Sequence, residues 1–211
     1  LVQPYVMLPA MNGSGAVRGF DADIDVGRKD IISNLNFGFL GYVEASNGTV
    51  AFGLDANYMN LDANSDDSRT RANVSQTALQ PMLFYKLVDK FELMAGMRYN
   101  KVKLGLESDF QAIDGAERSK GWVDPIIGFR FAAPIGGNNS FSMLANVGGF
   151  GIGSDIAIQV KPMLSFGVSR TTTIDLGYQI VYMDYESGTG TDRFAYDVLT
   201  EGPIMGISFR F

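Results

Sequence analysis

The sequence predicts an all-β protein, a closed antiparallel barrel of about ten strands, with 8 or 12 strands as the alternatives. The last segment, residues 202–211, alternates between apolar side chains and polar or small ones, which is the period of a strand with a different environment on each face. Its Pro-apolar-apolar core recurs upstream at Pro81, Pro125 and Pro162. These prolines and Pro203 are spaced by about 40 residues, which is the length of one long β-hairpin and indicates an array of hairpins.

Composition agrees with a single barrel domain covering residues 1–211. Hydrophobic residues make up 46% of the chain and charged residues only 19%, with 15 Phe, 9 Tyr and 25 Gly. Few charges and many aromatic residues fit a chain with a lipid-facing surface. No run of 18 apolar residues is present, so the sequence predicts no transmembrane helix. A transmembrane barrel strand needs no such run, because only every second residue faces the lipid.

The absence of two residue types excludes several kinds of site. The chain contains no Cys, so it has neither a disulfide framework nor a thiolate metal site, and no His, so His-based catalysis and His-ligated metal sites are excluded. We expect no cofactor and no metal. The net charge of −6 and the lack of a basic cluster argue against a nucleic-acid partner.

The pattern predicts the elements in order. A first strand covers residues 1–8, residues 16–26 form a small additional hairpin, and residues 30–35 form one or two helical turns. Residues 62–73 and 105–121 are polar and predicted to be loops, and Asn47-Gly48 predicts a tight turn. The other predicted strands are 36–45, 50–61, 74–87, 91–104, 122–132, 141–149, 156–169, 174–182 and the terminal strand.

Alternation also assigns the two faces of each strand. On the predicted strands the apolar residues share one parity, as Leu83, Phe129 and Leu164 do, and the charged residues share the other. The minority face carries five acids and five bases: Glu44, Asp55, Glu92, Asp124, Asp175, Lys86, Arg98, Arg130, Lys161 and Arg210. These charges predict either a network of ion pairs that closes a narrow lumen or the lining of a small polar channel.

A soluble barrel or sandwich is the alternative, because alternation alone does not tell the inside from the outside. Such a fold would bury the apolar face and expose the polar one. Aromatic residues near the strand ends and charges on the minority face of nearly every strand favour a transmembrane barrel.

The C-terminal residues carry a resemblance to a known signal. A terminal Phe211, Phe209 two residues earlier and Gly206 resemble the assembly signal of bacterial outer-membrane β-barrels, although Ile204 stands where that signal usually has a polar residue. Residues 23–39, 122–125, 148–155 and the terminal strand resemble a broad, poorly characterised family of Gram-negative outer-membrane barrels.

This resemblance implies a location and partners. We expect an integral protein of the bacterial outer membrane, with short periplasmic turns, longer extracellular loops and both termini in the periplasm. The expected partners are outer-membrane lipid and lipopolysaccharide, the barrel assembly machinery during biogenesis, and a protein that contacts the outer wall or the loops.

The expected role is non-enzymatic, because the enzymes among outer-membrane barrels resemble one another in using a His. A structural or interaction role is our first interpretation, and a narrow diffusion channel for small polar solutes is the alternative. The four outward prolines favour β-bulges in the wall over a contact belt, because each proline removes one ladder donor.

Overall fold

The computed structural model describes residues 1–17, 20–29, 31, 35–64, 70–108 and 116–211. None of the helical segments among these residues is long and apolar enough to cross a membrane. A single 3₁₀ turn, Gly190–Asp192, precedes the last strand. The strands are β1 (Val2–Met7), β2 (Ala10–Val17), β3 (Phe20–Val26), β4 (Leu35–Ser46), β5 (Val50–Asn64), β6 (Thr70–Val88), β7 (Phe91–Ser108), β8 (Ala116–Gly136), β9 (Asn139–Gly149), β10 (Ile156–Gly167), β11 (Thr172–Ser187) and β12 (Phe194–Phe209).

Ten of these strands form a closed antiparallel barrel, in the order β1, β4 and then β5 to β12. The barrel closes where β1 pairs with β12, with Val2 opposite Phe209 and Tyr5 opposite Gly206. The predicted closed barrel of about ten strands is therefore confirmed. Both chain termini lie at the end where β1 starts and β12 stops, which we call the terminus end. The opposite end is called the loop end.

The two remaining strands form a hairpin on the seam side of the barrel. Beyond Pro9 the chain continues as β2, which pairs with the first half of β12, and β3 then returns along β2. The predicted hairpin is thus present, but it begins at Ala10. The backbone N–H of Ile31 donates to the carbonyl of Gly27 at 3.1 Å, which makes one helical turn. Most of the predicted helix at 30–35 lies outside the described residues.

Two regions predicted to be loops are mostly strand. Residues 62–64, 70–73, 105–108 and 116–121 belong to β5, β6, β7 and β8, where Asn64 lies opposite Arg71 and Leu106 lies opposite Ala116. The prediction was wrong because a ladder uses backbone groups and needs no apolar alternation. Residues 65–69 and 109–115, which include part of each predicted loop, lie outside the described residues.

The predicted faces of the strands agree with the burial of their side chains. Leu83 and Ile127 are 53% and 55% exposed, whereas Gln80 and Asp124, of the opposite parity, are 4% and 0% exposed. Apolar side chains therefore cover the outside of the barrel, and polar side chains point inward together with apolar ones such as Met82 and Ile126. A soluble protein exposes its polar side chains instead.

The four prolines face outward in regular register, so the expected β-bulges are absent and that expectation was wrong. The pairs between β6 and β7 continue from Leu79–Tyr99 to Met82–Gly96 without an inserted residue, although no pair is formed at Pro81. The β10–β11 ladder has the same interruption at Pro162. A proline without an N–H thus removes a bond locally and leaves the register intact.

Glycines on neighbouring strands complement these proline segments. The residue after each proline points inward and is large, and a glycine lies opposite it in the pairs Met82–Gly96, Ile126–Gly148 and Met163–Gly177. A side chain on each glycine would collide with the carbonyl of the neighbouring proline, in the pairs Gly96–Pro81, Gly148–Pro125 and Gly177–Pro162. The wall therefore alternates large residues with glycine at this level.

The loop-end half of the interior is apolar, which the sequence did not predict. Trp122 stacks on Tyr185, with ring centroids 4.1 Å apart and an angle of 9° between the planes. Ile31 from the helical turn packs into the same cluster. The cluster, which we call the loop-end core, consists of Met11, Ile31, Val102, Trp122, Ala157, Met183, Tyr185, Phe194, Tyr196 and Val198.

Candidate functional site

The interior of the terminus end is a polar chamber of about 570 Å³. Arg130 on β8 forms ion pairs with both Glu44 on β4 and Glu92 on β7. Its guanidinium carbon also lies 4.0 Å from the ring centroid of Phe84, so the cation stacks on an aromatic face. Tyr42 donates a hydrogen bond to Glu44. One arginine thus joins strands from opposite sides of the barrel.

A second ion pair lies deeper in the barrel. Lys161 Nζ donates to Asp55 Oδ2 at 3.0 Å, and the two side chains are 6% and 4% exposed. The hydroxyl of Tyr5 donates to the other oxygen, Asp55 Oδ1, at 2.6 Å, and Lys161 Nζ lies 4.3 Å from the centroid of the Tyr5 ring. A buried charge pair of this kind is tolerated because its remaining lone pairs are hydrogen-bonded.

Asp175 accepts hydrogen bonds from neutral donors. Gln3 Nε2 donates at 2.7 Å and Thr173 Oγ1 at 3.0 Å, and the Ser208 hydroxyl donates to the same carboxylate. These donors come from β1, β11 and β12, so the carboxylate joins the strands on both sides of the seam.

Asp124 anchors the turn between β9 and β10. It accepts from the backbone N–H of Ser154 at 2.6 Å, from the Ser154 hydroxyl at 3.0 Å, and from Trp122 Nε1 and Asn100 Nδ2 at 3.1 Å each. Four donors satisfy a carboxylate that is fully buried. Asp124 therefore fixes the position of this turn against β8.

Arg98 is bound by amides and not by a carboxylate. Its Nε donates to Gln80 at 2.7 Å, and its Nη2 donates at 2.8 Å to both Asn146 and Gln159. Gln159 also accepts from Gln80 at 3.0 Å and from Asn146 at 2.9 Å. These four side chains, from β6, β7, β9 and β10, form what we call the amide cluster. Within the described part of the chain, Arg98 has no ion-pair partner.

Lys86 and Arg210 lie at the rim of the terminus end. Lys86 Nζ lies 3.2 Å from Asp89 Oδ1 and forms an ion pair with it. Asp89 is outside the predicted set, and its side chain is 96% exposed. The backbone N–H of Arg210 donates to Thr171 at 2.8 Å, and among the described residues its side chain forms no ion pair. The ten predicted charges therefore separate into two ion-paired groups, two hydrogen-bonded carboxylates, the amide cluster and the rim.

Strand alternation predicts Gln80 and Gln159 on the inward face, but the predicted set contains charged residues only. Amides of the same parity as the charged residues were the available signal. Among the described residues, no group of three His, Cys, Asp or Glu side chains is placed to hold a metal ion.

The seam side of the barrel contains a second cavity, of about 140 Å³, between the amide cluster and the loop-end core. Its lining combines apolar side chains such as Met7, Leu40 and Val181 with the polar groups of Arg98 and Asn100. This cavity was not predicted, because it depends on how β1, β2 and β4 are arranged next to one another in the wall.

Comparison with known proteins identifies the fold. The translocator domain of the autotransporter NalP from Neisseria meningitidis is 10% identical over 100% of this chain and 88% of that domain, with a TM-score of 0.52. Ail, the attachment invasion locus protein of Yersinia pestis, is 10% identical over 100% of this chain and 96% of Ail, with a TM-score of 0.42. No family model matches the sequence, and no curated protein matches it. The fold is that of outer-membrane β-barrels.

Proposed function

We propose that this protein is an integral outer-membrane β-barrel of Gram-negative bacteria with a structural or interaction role, and that its interior has no continuous water-filled channel. The proposal includes no enzymatic activity.

The outer surface supports the membrane assignment. Large apolar side chains are about half exposed on successive strands, in the set Phe39, Phe52, Leu83, Leu93, Met97, Ile127 and Met205. A surface this apolar is unfavourable in water and is expected where the barrel contacts lipid.

The amide cluster is the observation that carries the closed-interior proposal. Arg98 is 3% exposed and bonds to side chains from three other strands, including β10 on the far side of β9. The loop-end core adds an apolar layer above it. A barrel of about eight strands is filled by its side chains, and wide aqueous channels are typical of about 16 or more, so ten strands are near the filled limit.

A narrow diffusion channel is the second candidate, and the charged chamber at the terminus end favours it. That chamber of about 570 Å³ has room for water and small ions. For diffusion across the membrane, however, the amide cluster and the loop-end core would both have to open.

Conductance across a planar lipid bilayer tests the proposal. We expect the purified, folded protein to insert without a steady ohmic current above that of the protein-free bilayer. Reproducible steps of constant conductance that scale with salt concentration would favour the diffusion channel and contradict the closed interior. Heat-unfolded protein is the control for leakage caused by insertion itself.

We further propose that the C-terminal strand serves as the signal for the barrel assembly machinery. Phe209 is exposed on the outward face, and Phe211 is fully exposed beyond the end of the strand. Gly206 has an additional packing role, because a Cβ atom there would lie 2.8 Å from the Cβ of Tyr5 across the closing seam. Lipid and lipopolysaccharide are the proposed surroundings of the outer wall, and a protein partner could bind to the wall or the loops.

A further inference from the structure

The seam-side cavity reaches from the barrel centre to the outer wall. At its inner end lie Arg98 and Gln159, and at its outer end lie Leu8, Gly38 and Tyr58, all three of which are exposed residues. The cavity therefore spans the thickness of the wall and is not confined to the lumen.

The strand pairing explains why the wall is thin at this position. Pairs between β1 and β4 run only from Val2–Val43 to Tyr5–Leu40. Beyond Leu40, toward the loop end, β4 is not paired with β2, because β2 pairs with β3 on that side. Among the described residues β3 has no partner except β2. Among the described residues, the wall next to Gly38 thus lacks the backbone ladder that seals the rest of the barrel.

Three buried polar atoms around this cavity have no hydrogen-bond partner within the described part of the chain. They belong to residues that line the cavity, and buried polar groups are normally paired. The three are Arg98 Nη1, Asn100 Oδ1 and Gln179 Oε1.

The free donor of Arg98 is the informative one. A guanidinium nitrogen can only donate, carries part of a permanent positive charge, and is costly to leave unpaired in a buried site. The nearby carboxylates of Asp55 and Asp124 already accept from other donors, namely Lys161 and Tyr5, and Ser154, Trp122 and Asn100. An anionic group that enters the cavity could accept from Arg98 Nη1 without breaking the amide cluster.

We infer that this cavity binds an amphipathic monocarboxylate, such as a short or medium-chain fatty acid, that enters through the wall between β1 and β4. The carboxylate accepts from Arg98 Nη1. The hydrocarbon chain lies against Met7, Leu8 and Leu40 and points toward the lipid. The free amide oxygens of Asn100 and Gln179 accept from water that accompanies the carboxylate.

The size of the cavity sets the size of the ligand. A dry apolar cavity of about 150 Å³ in another protein holds a benzene molecule, so about 140 Å³ accommodates roughly six carbon atoms. A longer chain fits if its end passes between Leu8 and Gly38 into the membrane. Free fatty acid is the committed ligand, because a cavity of about 140 Å³ is too small for the phosphodiester, glycerol and two acyl chains of a phospholipid.

Calorimetric titration of octanoate into the full-length protein in phosphatidylcholine nanodiscs tests this inference, with empty nanodiscs to subtract partitioning. We expect saturable binding to the wild-type protein. Octanol, which has the same chain and no carboxylate, should bind at least tenfold more weakly. The assay measures binding, so its result does not depend on whether the barrel conducts ions.

Two pairs of variants locate the site. Arg98→Gln should weaken octanoate binding at least tenfold, whereas Arg130→Gln, which changes an interior arginine already paired with Glu44 and Glu92, should leave it unchanged. Ala78→Phe, which fills the cavity and keeps Arg98, should also weaken binding, whereas Ala145→Phe on the lipid-facing side of β9 should not. Folding of each variant is checked by its electrophoretic shift on heating.

Three results would overturn the inference. The first is the absence of saturable octanoate binding to the folded wild-type protein. The second is binding that survives both Arg98→Gln and Ala78→Phe. The third is equal affinity for octanol and octanoate, which would make the cavity an apolar pocket whose polar atoms bind water only.

Discussion

At the scale of single residues, Arg130 shows how a side chain holds distant strands together. Its guanidinium contacts Glu44 and Glu92, and the ring of Phe84 covers one of its faces. Its side chain is 20% exposed, so the ion pairs are screened less than those on a surface. Removing the cation would leave two carboxylates close together without a counter-charge.

Arg130→Gln should therefore lower the free energy of unfolding by about 1–3 kcal/mol, which is less than for a fully buried pair because some water reaches the site. Urea unfolding in lipid bilayers measures the change. Arg210→Gln is the matched control, because Arg210 forms no ion pair with the described residues, and its effect should be within about 0.5 kcal/mol of zero. Equal effects of the two substitutions would show that the ion pairs do not stabilise the barrel.

The sequence was sufficient to place Arg98, Arg130 and Lys161 inside, because a period of two assigns each residue to one face. It was not sufficient to pair them. Gln159 meets Arg98 only because β7 and β10, which are three positions apart in the barrel wall, direct these side chains into the same part of the lumen. Alternation along a single strand carries no information about contacts between strands that are not neighbours.

At the scale of elements, the proline segments and their glycines form the repeating unit of the wall. Each unit places a large inward residue beside a glycine, and the glycine allows the proline carbonyl of the next strand to approach closely. The prolines were recognisable as a repeat in the sequence. The glycines were not, because their spacing from the prolines follows the strand register and not the chain.

Gly96→Ala should destabilise the barrel by about 1–3 kcal/mol, because the added methyl group collides with the backbone of Pro81 and two paired strands must separate locally. Gly121→Ala on β8 is the control, since the nearest atom to its methyl group is the movable hydroxyl of Tyr99 at 3.2 Å. The same urea titration measures both variants. A loss for Gly96→Ala no larger than for Gly121→Ala would contradict the close approach at the proline segments.

At the scale of the whole molecule, the barrel combines a sealed wall with one weak boundary, where β1 and β4 pair only from Val2–Val43 to Tyr5–Leu40. Nine of the boundaries between barrel strands join either two strands that are consecutive in the chain or the first strand to the last. An array of hairpins predicts this order. The exception is the boundary between β1 and β4, because at the loop end β3 pairs with β2 and takes the place beside β2 that β4 would otherwise occupy. This boundary and its cavity exist because the β2–β3 hairpin interrupts the regular array of hairpins. Sequence periodicity detects regular arrays and does not detect such an interruption.

The apolar loop-end core has the same explanation. Trp122 and Asp124 share one parity on β8, so alternation assigns both to the inside, but it does not report what surrounds them there. The same alternation assigns inward residues at the terminus end and at the loop end, so it does not show that one end is polar and the other apolar. The central claim about the molecule is the sidedness of its wall, with lipid outside and a filled interior.

Spin labels along β6 test that claim most directly, because the chain has no Cys and each introduced cysteine is therefore the single labelling site. We expect labels at residues 79, 81, 83 and 85 in lipid nanodiscs to collide readily with oxygen, which concentrates in lipid, and poorly with a water-soluble nickel complex. Labels at residues 80 and 82 should be shielded from both reagents, and residue 84 is not labelled because Phe84 lines the polar chamber of the terminus end. Collisions of the nickel complex with the labels at odd-numbered positions, or of oxygen with those at even-numbered positions, would contradict a lipid-facing outer wall around a filled interior.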